Sequence, residues 1–339
     1  MTHHKPPHLS RRSFVRKGSM LAGGALVAHH VAAPDAYAAG LPPSSAETDG
    51  QPWPTRVLGK TGVSVTTMTL GTAPCGLSPK IPPREIADIV NEAIDLGINS
   101  IDTAPAYIQA EEGIGLALGN RRKDVFLATK VMADTIPDAE RSLAKSFELN
   151  KTDWFDLVYY HSVGDRDVQA GMKPDGVFSW LIKQKQAGKF RFLGISGHNR
   201  PAKFVPLMET GEVDVLLAIV NFVDRYTYGF EHKVFPLARA QNVPIVAMKV
   251  FGGAKDMRYE DPNQPPHMDV AHLETAVRFA LGTPGVATLN LGVHNRQQLR
   301  EDVAMVKRYE KLTEQEQQRL RTLGKELARE WGPHFGPTA

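Results

Sequence analysis

Side chains that can together deliver a proton to an oxygen atom stand near the ends of three short apolar segments. Asp102 ends the first segment and Tyr107 lies five positions after it. Lys130 ends the second segment and His161 ends the third. A tyrosine is a poor acid at neutral pH because its pKa is about 10, but a nearby ammonium stabilises the phenolate and a carboxylate holds that ammonium in place. With an imidazole to orient a carbonyl oxygen, this set suits carbonyl reduction if a hydride donor binds opposite.

These positions fit a chain in which short strands alternate with amphipathic helices. Most strand candidates are nearly continuous apolar runs, which is typical of strands buried on both faces of a parallel sheet. Eight alternations in about 260 residues predict an α/β protein with one (β/α)8 TIM barrel. A doubly wound open sheet is the alternative, but no G-x-G-x-x-G follows the first strand, so a Rossmann site is not supported. The predicted strands are Val65–Leu70, Ile98–Thr103, Val125–Lys130, Asp156–His161, Phe190–Ser196, Val215–Asn221, Pro244–Lys249 and Val286–Leu291.

Further polar residues end the later strands of this predicted barrel. Ser196 and Asn199 end strand five, Asn221 ends strand six and Lys249 ends strand seven. Taken singly, each has a simple structural explanation, because a charged or polar strand end is usually solvated or caps a turn. Functional side chains of such barrels lie where the strands end, at the C-terminal face, so the convergence of these residues there favours a catalytic site. Residues 56–63 predict a hairpin that could cover the opposite end of the barrel.

Four segments carry a resemblance to a known family. In order and spacing, within residues 57–309, they resemble the successive motifs of the aldo-keto reductase superfamily, and Asp-Thr-Ala-x-x-Tyr is the most specific of them. The resemblance implies a barrel that reduces an aldehyde or ketone to an alcohol with a nicotinamide cofactor and without a metal. That cofactor would be NADP(H), with NAD(H) as the alternative. The segments are Asp102-Thr103-Ala104-Pro105-Ala106-Tyr107, Ala128-Thr129-Lys130, Tyr160-His161 and Gly188-Lys189-Phe190-Arg191-Phe192-Leu193-Gly194-Ile195-Ser196.

The resemblance also implies a role for each matched residue. Tyr107 is the general acid, and Lys130 lowers its pKa. Asp102 pairs with Lys130, and His161 orients the substrate carbonyl. The residues matched to the cofactor are Ser196, Asn199, Asn221, Met248 and Lys249 around the nicotinamide, and Gly292, His294, Gln298 and Asp302 around the phosphates and adenosine.

Several positions depart from the family's pattern. Ile108 stands where a glycine usually follows the tyrosine, and Leu217 stands where a glutamine is common. Asn199 lies three residues after the serine instead of beside it, and Met248 with Lys249 replaces the aromatic residue that stacks on the nicotinamide. After strand eight, His294 replaces the arginine that grips the 2′-phosphate, and Asp302 replaces an asparagine near the adenine. Arg296 and Arg300 are the substitutes for that arginine.

The first 38 residues have the three regions of a bacterial export signal. Ser10-Arg11-Arg12-Ser13-Phe14 is a basic block with paired arginines, residues 20–28 are apolar, and Ala36-Tyr37-Ala38 is a small-x-small cleavage site. The arginine pair resembles the signal read by the twin-arginine translocation machinery. We therefore expect a periplasmic or extracytoplasmic protein with signal peptide 1–38, linker 39–55, barrel 56–325 and C-terminal tail 326–339. An uncleaved anchor is the alternative.

Composition excludes several other classes of protein. The chain has 40 basic and 37 acidic residues, and removal of the signal leaves 35 and 36, too balanced to indicate a nucleic-acid surface. The single Cys75 excludes an intramolecular disulfide and any thiolate zinc or iron–sulfur site held by this chain alone. No predicted helix carries His-x-x-x-His, so no metal site is expected. No apolar run reaches the roughly 18–20 residues that span a bilayer, so we expect no stable membrane insertion after cleavage.

Two other functions are weighed against a carbonyl reductase. An exported barrel that binds the cofactor or senses it with little turnover is favoured by the unusual nicotinamide contacts and by the scarcity of free nicotinamide cofactor outside the cytoplasm. The set Asp102, Tyr107, Lys130 and His161 argues against it. A barrel hydrolase needs paired carboxylates or a metal at the strand ends, and the sequence has neither there. The expected partner is therefore a small-molecule carbonyl substrate.

Overall fold

Eight parallel strands close into a barrel in the computed structural model of the chain, which describes residues 53–339. Each of these strands, β3 to β10 in chain order, pairs with the next, and β10 pairs with β3 to complete the ring. The predicted (β/α)8 barrel is confirmed. The strands are β1 (Thr55–Val57), β2 (Ser64–Thr66), β3 (Met68–Gly71), β4 (Ser100–Asp102), β5 (Phe126–Val131), β6 (Phe155–Tyr160), β7 (Phe190–Gly197), β8 (Val215–Ile219), β9 (Ile245–Met248) and β10 (Val286–Gly292).

Helices connect successive barrel strands and cover their outer faces. In α2, for example, Ile86, Ile89, Val90 and Ala93 are buried at helical spacing, so one side of the helix packs on the barrel. The helices are α1 (Ala73–Leu77), α2 (Pro83–Asp95), α3 (Ala110–Ala117), α4 (Ile136–Asn150), α5 (Val168–Gly171), α6 (Val177–Gln186), α7 (Phe204–Glu209), α8 (Phe230–Lys233), α9 (Phe235–Ala240), α10 (Leu273–Gly282), α11 (Arg296–Lys307) and α12 (Glu314–Trp331).

The hairpin β1–β2 covers the end of the barrel opposite the strand C-termini, as the sequence predicts. Arg56 donates hydrogen bonds to the carbonyls of Leu281 and Val286, at the start of β10. Leu58 and Val65 line a small cavity inside the barrel. The predicted first strand Val65–Leu70 is wrong in its bounds, because the chain bends at Thr67 and its first part belongs to the hairpin.

One tyrosine inside the barrel sets the packing beneath the predicted site. Tyr159 of β6 is buried, and its ring lies against the backbone of Gly194 in β7. A Cβ at Gly194 would come within 2.3 Å of Tyr159 Cδ1, so only glycine leaves room for the ring there. The packing of Tyr159 therefore explains why the segment 188–196 has a glycine at position 194.

Residues after α12 pack on the C-terminal face of the barrel. Thr313 and Glu316 form a capping box at the start of α12, and the predicted barrel boundary at residue 325 falls inside this helix. Beyond it, the amide of Phe335 donates to the hydroxyl of Tyr228 at 2.7 Å, and Arg200 donates to the carbonyl of Ala339 at 3.1 Å. Residues 332–339 thus form part of the barrel mouth.

The N-terminal predictions lie outside this description. Signal peptide 1–38 and most of linker 39–55 are not among the described residues. The first described residue, Trp53, is buried and donates a hydrogen bond to the carbonyl of Leu96. Over residues 53–339, none of the helices has the length and apolarity needed to cross a membrane. In the same part of the chain, no three His, Cys, Asp or Glu side chains are grouped closely enough to hold a metal ion.

Candidate active site

A buried ion pair joins the ends of β4 and β5. Asp102 pairs in register with Ala128, so Lys130 lies two residues further along β5. Its ammonium donates to Asp102 Oδ1 and, at 2.7 Å, to the carbonyl of Thr103. Lys130 is only 1% exposed and Asp102 only 3%. Burial lowers the pKa of Lys130, whereas the Asp102 carboxylate opposes that decrease because it stabilises the charged amine.

Tyr107 lies directly over this ammonium. It ends a single turn of 3-10 helix, Pro105–Tyr107, that follows β4. Lys130 Nζ is 4.9 Å from the centre of the Tyr107 ring, a cation–π contact, and 5.7 Å from the centre of the Tyr159 ring. The lysine is thus held between the two rings, and the phenol of Tyr107 is fixed at the mouth of the barrel.

The residue after the tyrosine has an unusual backbone conformation. Ile108 has φ of +48°, in the left-handed region that favours glycine and that a β-branched residue rarely adopts. Its side chain is 62% exposed. A glycine at this position would adopt the same turn without that strain, which explains the family's preference for it.

The electrostatics of Tyr107 differ from the sequence-based expectation. Burial raises the pKa of its hydroxyl, and the charge of Asp102 adds to the increase. The charge of Lys249 acts in the opposite direction, but burial outweighs it and the pKa stays above its usual value. Tyr107 therefore keeps its proton throughout the neutral range.

His161 completes the group that the structure brings together. It follows β6, and its ring meets that of Tyr107 edge-on at a centroid distance of 6.5 Å. The side chain is buried, and its Nδ1 has no hydrogen-bond partner among residues 53–339. Burial, together with the charge of Lys130, holds the pKa of His161 well below its usual value. The imidazole is therefore neutral and can hydrogen-bond to a carbonyl oxygen.

The residues predicted to contact the nicotinamide fall into two groups, those whose polar atoms are available to a ligand and those already hydrogen-bonded within the protein. Ser196 of β7 is buried, and its Oγ has no hydrogen-bond partner in the described part of the chain. Asn199 and Asn221 are already engaged within the protein. The amide of Asn199 donates to the carbonyl of Phe335 at 3.1 Å and to Asp165 at 3.2 Å.

Asn221 holds together the loop after β8. Its Oδ1 accepts from the amides of Val223 and Asp224, and its Nδ2 donates to the Asp224 carboxylate and to the carbonyl of Lys249. Asn221 is fully buried. Asn221 therefore stabilises the turn after β8 and connects it to the end of β9.

Met248 and Lys249 lie side by side but in different surroundings. Met248 ends β9 and is buried. Lys249 has φ of +56° and donates a hydrogen bond to the hydroxyl of Tyr259 at 2.7 Å. The carbonyl of Tyr259 lies 3.1 Å from Nε2 of His294, so this tyrosine links the two predicted halves of the cofactor site.

The residues matched to the adenosine end cluster around the start of α11. Gly292 ends β10 against Pro74, and Gln298 accepts a hydrogen bond from the amide of His294. Asp302 is buried, and burial holds its pKa well above the usual value. Its carboxyl is therefore held towards the neutral form.

Arg296 and Arg300 are held by a single carboxylate. Each Nε donates to a different oxygen of Glu92 on α2. Burial acts to raise the pKa of Glu92, but the two arginine hydrogen bonds outweigh it and hold the pKa below its usual value. Both arginine side chains are more than half exposed, and each guanidinium carries further donors besides the Nε that bonds to this carboxylate.

Sequence reasoning missed three residues at the mouth, which are His198, Tyr259 and Phe335. His198 lies 5.4 Å from the ring of Phe335, and Lys249 lies 4.4 Å from the ring of Tyr259. Tyr259 lies in the long loop 251–269 after β9, and Phe335 lies in the predicted C-terminal tail 326–339; the sequence assigned neither of them to the site. The single signal available was the mixed aromatic and polar composition of that loop.

Comparison with known proteins gives the family. The profile of the aldo/keto reductase family matches residues 67–272, more than half of the chain. The chain belongs to the aldo/keto reductase family. It is 25% identical over 299 residues to the uncharacterized oxidoreductase YqkF of Bacillus subtilis, which covers 77% of this chain and 93% of that protein. The chain is therefore an oxidoreductase of this family.

Solved structures of the family have the same barrel. The apo form of the aldo-keto reductase AKR11C1 from Bacillus halodurans is 26% identical, covers 80% of this chain and 96% of that one, and superposes with a TM-score of 0.62. An aldo-keto reductase from Klebsiella pneumoniae in complex with NADPH is 20% identical, covers 80% and 95%, and has a TM-score of 0.64. At 20% identity, the similarity to the Klebsiella pneumoniae structure shows only that the two chains share a fold.

Loss of the Asp102 charge should destabilise this aldo/keto reductase in a pH-dependent way. In Asp102→Asn, Lys130 remains buried without a counterion, and we expect the free energy of unfolding at pH 7 to fall by about 3–5 kcal/mol. The deficit should shrink towards pH 10. The folded pKa of Lys130 is already below its unfolded value and drops further in the variant, so the folded amine loses its proton at a lower pH and stability rises there.

Chemical denaturation at pH 7, 8.5 and 10 measures this effect. Asp134→Asn is the matched control, because Asp134 is 71% exposed and pairs with Arg166 at the surface. A deficit as small as that of the control, or one that stays constant with pH, would contradict the burial of an ammonium that needs Asp102.

Proposed function

We propose that this chain reduces an aldehyde or ketone to an alcohol, with Tyr107 as the proton donor and NADP(H) as the cofactor; NAD(H) is the alternative. The observation that carries the proposal is the buried Asp102–Lys130 pair beneath Tyr107, with a neutral His161 at its side. A structural relative from Klebsiella pneumoniae that binds NADPH supports the choice of cofactor.

The residues of this chain fit such a cofactor in two respects. The Ser196 hydroxyl is a buried polar group without a partner, close in sequence to the mouth residues, and it could bond to an amide of the ligand. Arg296 and Arg300, whose side chains are more than half exposed on α11, carry guanidinium donors beyond those bonded to Glu92, and these could bind a 2′-phosphate. When bound, the reduced nicotinamide supplies a hydride to the carbonyl carbon.

The protein's own residues then handle the oxygen of the substrate. Tyr107 donates its proton to the carbonyl oxygen as negative charge develops there. The neutral imidazole of His161 orients that oxygen by a hydrogen bond. Lys130, fixed by Asp102 and facing the aromatic ring, stabilises the phenolate that Tyr107 becomes after it has given up the proton.

Removal of the Tyr107 hydroxyl tests this assignment. In Tyr107→Phe, kcat for carbonyl reduction should fall about 10²- to 10⁴-fold, because the general acid is lost, while NADPH binding measured by fluorescence persists. For the unmodified chain, kcat should be nearly constant between pH 6 and 9. Burial raises the pKa of Tyr107, and burial with the charge of Lys130 holds the pKa of His161 well below its usual value, so we expect neither group to change charge in this window.

The matched control for this test is Tyr226→Phe, an exposed tyrosine outside the barrel mouth. Equal activity of Tyr107→Phe and the control would contradict the assignment of Tyr107 as the proton donor. NADPH binding without turnover on a broad panel of aldehydes, ketones and quinones would favour the second candidate, a cofactor-binding or sensor barrel. That candidate is supported by Asn199, whose amide is engaged by Phe335.

Arg296 and Arg300 should set the choice between the two cofactors. In Arg296→Ala and in Arg300→Ala, the Kd for NADPH should rise roughly tenfold or more, because a charged hydrogen bond to the 2′-phosphate is lost. The Kd for NADH should change little. Arg308→Ala, at the other end of α11 and in an exposed pair with Glu274, is the control. Equal losses for both cofactors would argue against a 2′-phosphate site here.

We further propose that the chain is exported by the twin-arginine machinery as a folded protein. The paired Arg11 and Arg12, the apolar stretch after them and the small-x-small site at 36–38 support this. Replacement of both arginines by lysine should retain the full-length chain in the cytoplasm of a bacterial host, whereas Arg16→Lys should not. Cell fractionation and immunoblotting measure this, and unchanged export of the double variant would exclude the route.

A further inference from the structure

Lys249 is a second cation at the barrel mouth, and none of the described carboxylates pairs with it. The charge of Lys130 is matched by Asp102. Within residues 53–339, by contrast, no carboxylate oxygen lies within 4.0 Å of the Lys249 ammonium. Its neighbours are the Tyr259 hydroxyl at 2.7 Å and two aromatic rings, those of Tyr259 at 4.4 Å and Phe335 at 6.0 Å.

This ammonium belongs to the same space as the proton-transfer residues. Its positive charge lowers the pKa of Tyr107, His161 and His198. Phe335 provides a geometric link, because its ring contacts His198 on one side and faces Lys249 on the other. The left-handed backbone at Lys249 places the lysine where β9 has ended and the mouth begins.

An ammonium in this setting has unused binding capacity. It carries three N–H donors, and the one hydrogen bond found uses one of them. Lys249 is only partly exposed, so water does not fully solvate its charge. The nearby His161 and His198 are held neutral, so they add no positive charge that would compete for an anion. A partly desolvated cation of this kind binds an anion more strongly than a fully solvated one does.

We propose that Lys249 binds a carboxylate carried by the substrate, and that the chain therefore prefers carbonyl compounds that also bear a carboxylate. This inference rests on the proposed function. Two ammonium donors are free for the two carboxylate oxygens, while Tyr107 and His161 engage the carbonyl oxygen of the same molecule. The rings of Tyr259 and Phe335 lie beside this ammonium and would contact the apolar part of such a substrate.

Matched pairs of substrates that differ by one charge test the inference. The pairs are 3-carboxybenzaldehyde, 4-carboxybenzaldehyde and succinic semialdehyde, each with its methyl ester. For the unmodified chain, kcat/KM should be higher for at least one acid than for its ester. In Lys249→Met the acid-to-ester ratio of kcat/KM should fall about ten- to hundredfold, mainly through KM, because a charged hydrogen bond is lost.

Two further variants separate charge from packing. Lys249→Arg should retain most of the ratio, because it keeps the positive charge. Lys255→Met removes an exposed lysine from the loop that carries Tyr259 and should leave the ratio unchanged. An unchanged ratio in Lys249→Met would overturn the inference. So would a loss of NADPH affinity in that variant with the ratio preserved, because the anion would then be a phosphate of the cofactor.

A binding measurement separates this inference from the proposed function. Calorimetry with 4-(hydroxymethyl)benzoate and its methyl ester, in the presence of NADPH or NADP+, needs no turnover. Tighter binding of the acid, lost in Lys249→Met and kept in Lys249→Arg, supports the carboxylate site even if no carbonyl is reduced. Equal binding of acid and ester, in a chain that does reduce carbonyls, leaves the proposed function standing and overturns the inference.

Discussion

A buried charge pair between two neighbouring strands determines the geometry of the whole mouth. Lys130 and Asp102 are almost fully removed from water, so neither charge is tolerable without the other. The closed barrel makes the pair possible, because the register of β4 and β5 sets both side chains at the same end of the ring. The ammonium in turn lies between the rings of Tyr107 and Tyr159. The position of the proposed acid is thus a consequence of the ion pair.

The parts that the sequence predicts best are those whose signal is local. Buried parallel strands are apolar runs, so all eight were recognisable, and their polar last residues marked the mouth. The first strand was misplaced because residues 65–70 form one unbroken segment of β-branched and apolar residues, and the bend at Thr67 leaves no compositional trace in it. The contacts of Asn199 with Phe335 and of Lys249 with Tyr259 could not be predicted, since they join segments brought together only by the finished fold.

Departures from the family's pattern acquire physical explanations in the structure. Ile108 occupies a backbone conformation in which glycine would be unstrained. Asn199, displaced by three positions, bonds to residues after α12 instead of remaining open. Lys249 replaces a flat ring by a charge, so this mouth has two lysines, one neutralised by Asp102 and the other set against aromatic faces. The surroundings of the reacting oxygen are therefore more cationic than the Asp102–Lys130 pair alone would make them.

The carboxylate that holds Arg296 and Arg300 also has a mechanical consequence. Glu92 lies on α2 and both arginines on α11, helices that flank the seam where β10 closes the ring against β3. Strands from opposite ends of the described chain meet at this seam, so it joins the most distant parts of the sequence. Glu92 therefore links α2 to α11 across the point where the barrel closes. A ligand that binds both arginines only while the ring is closed would favour the closed state, so local opening of the barrel would become rarer while that ligand stays bound.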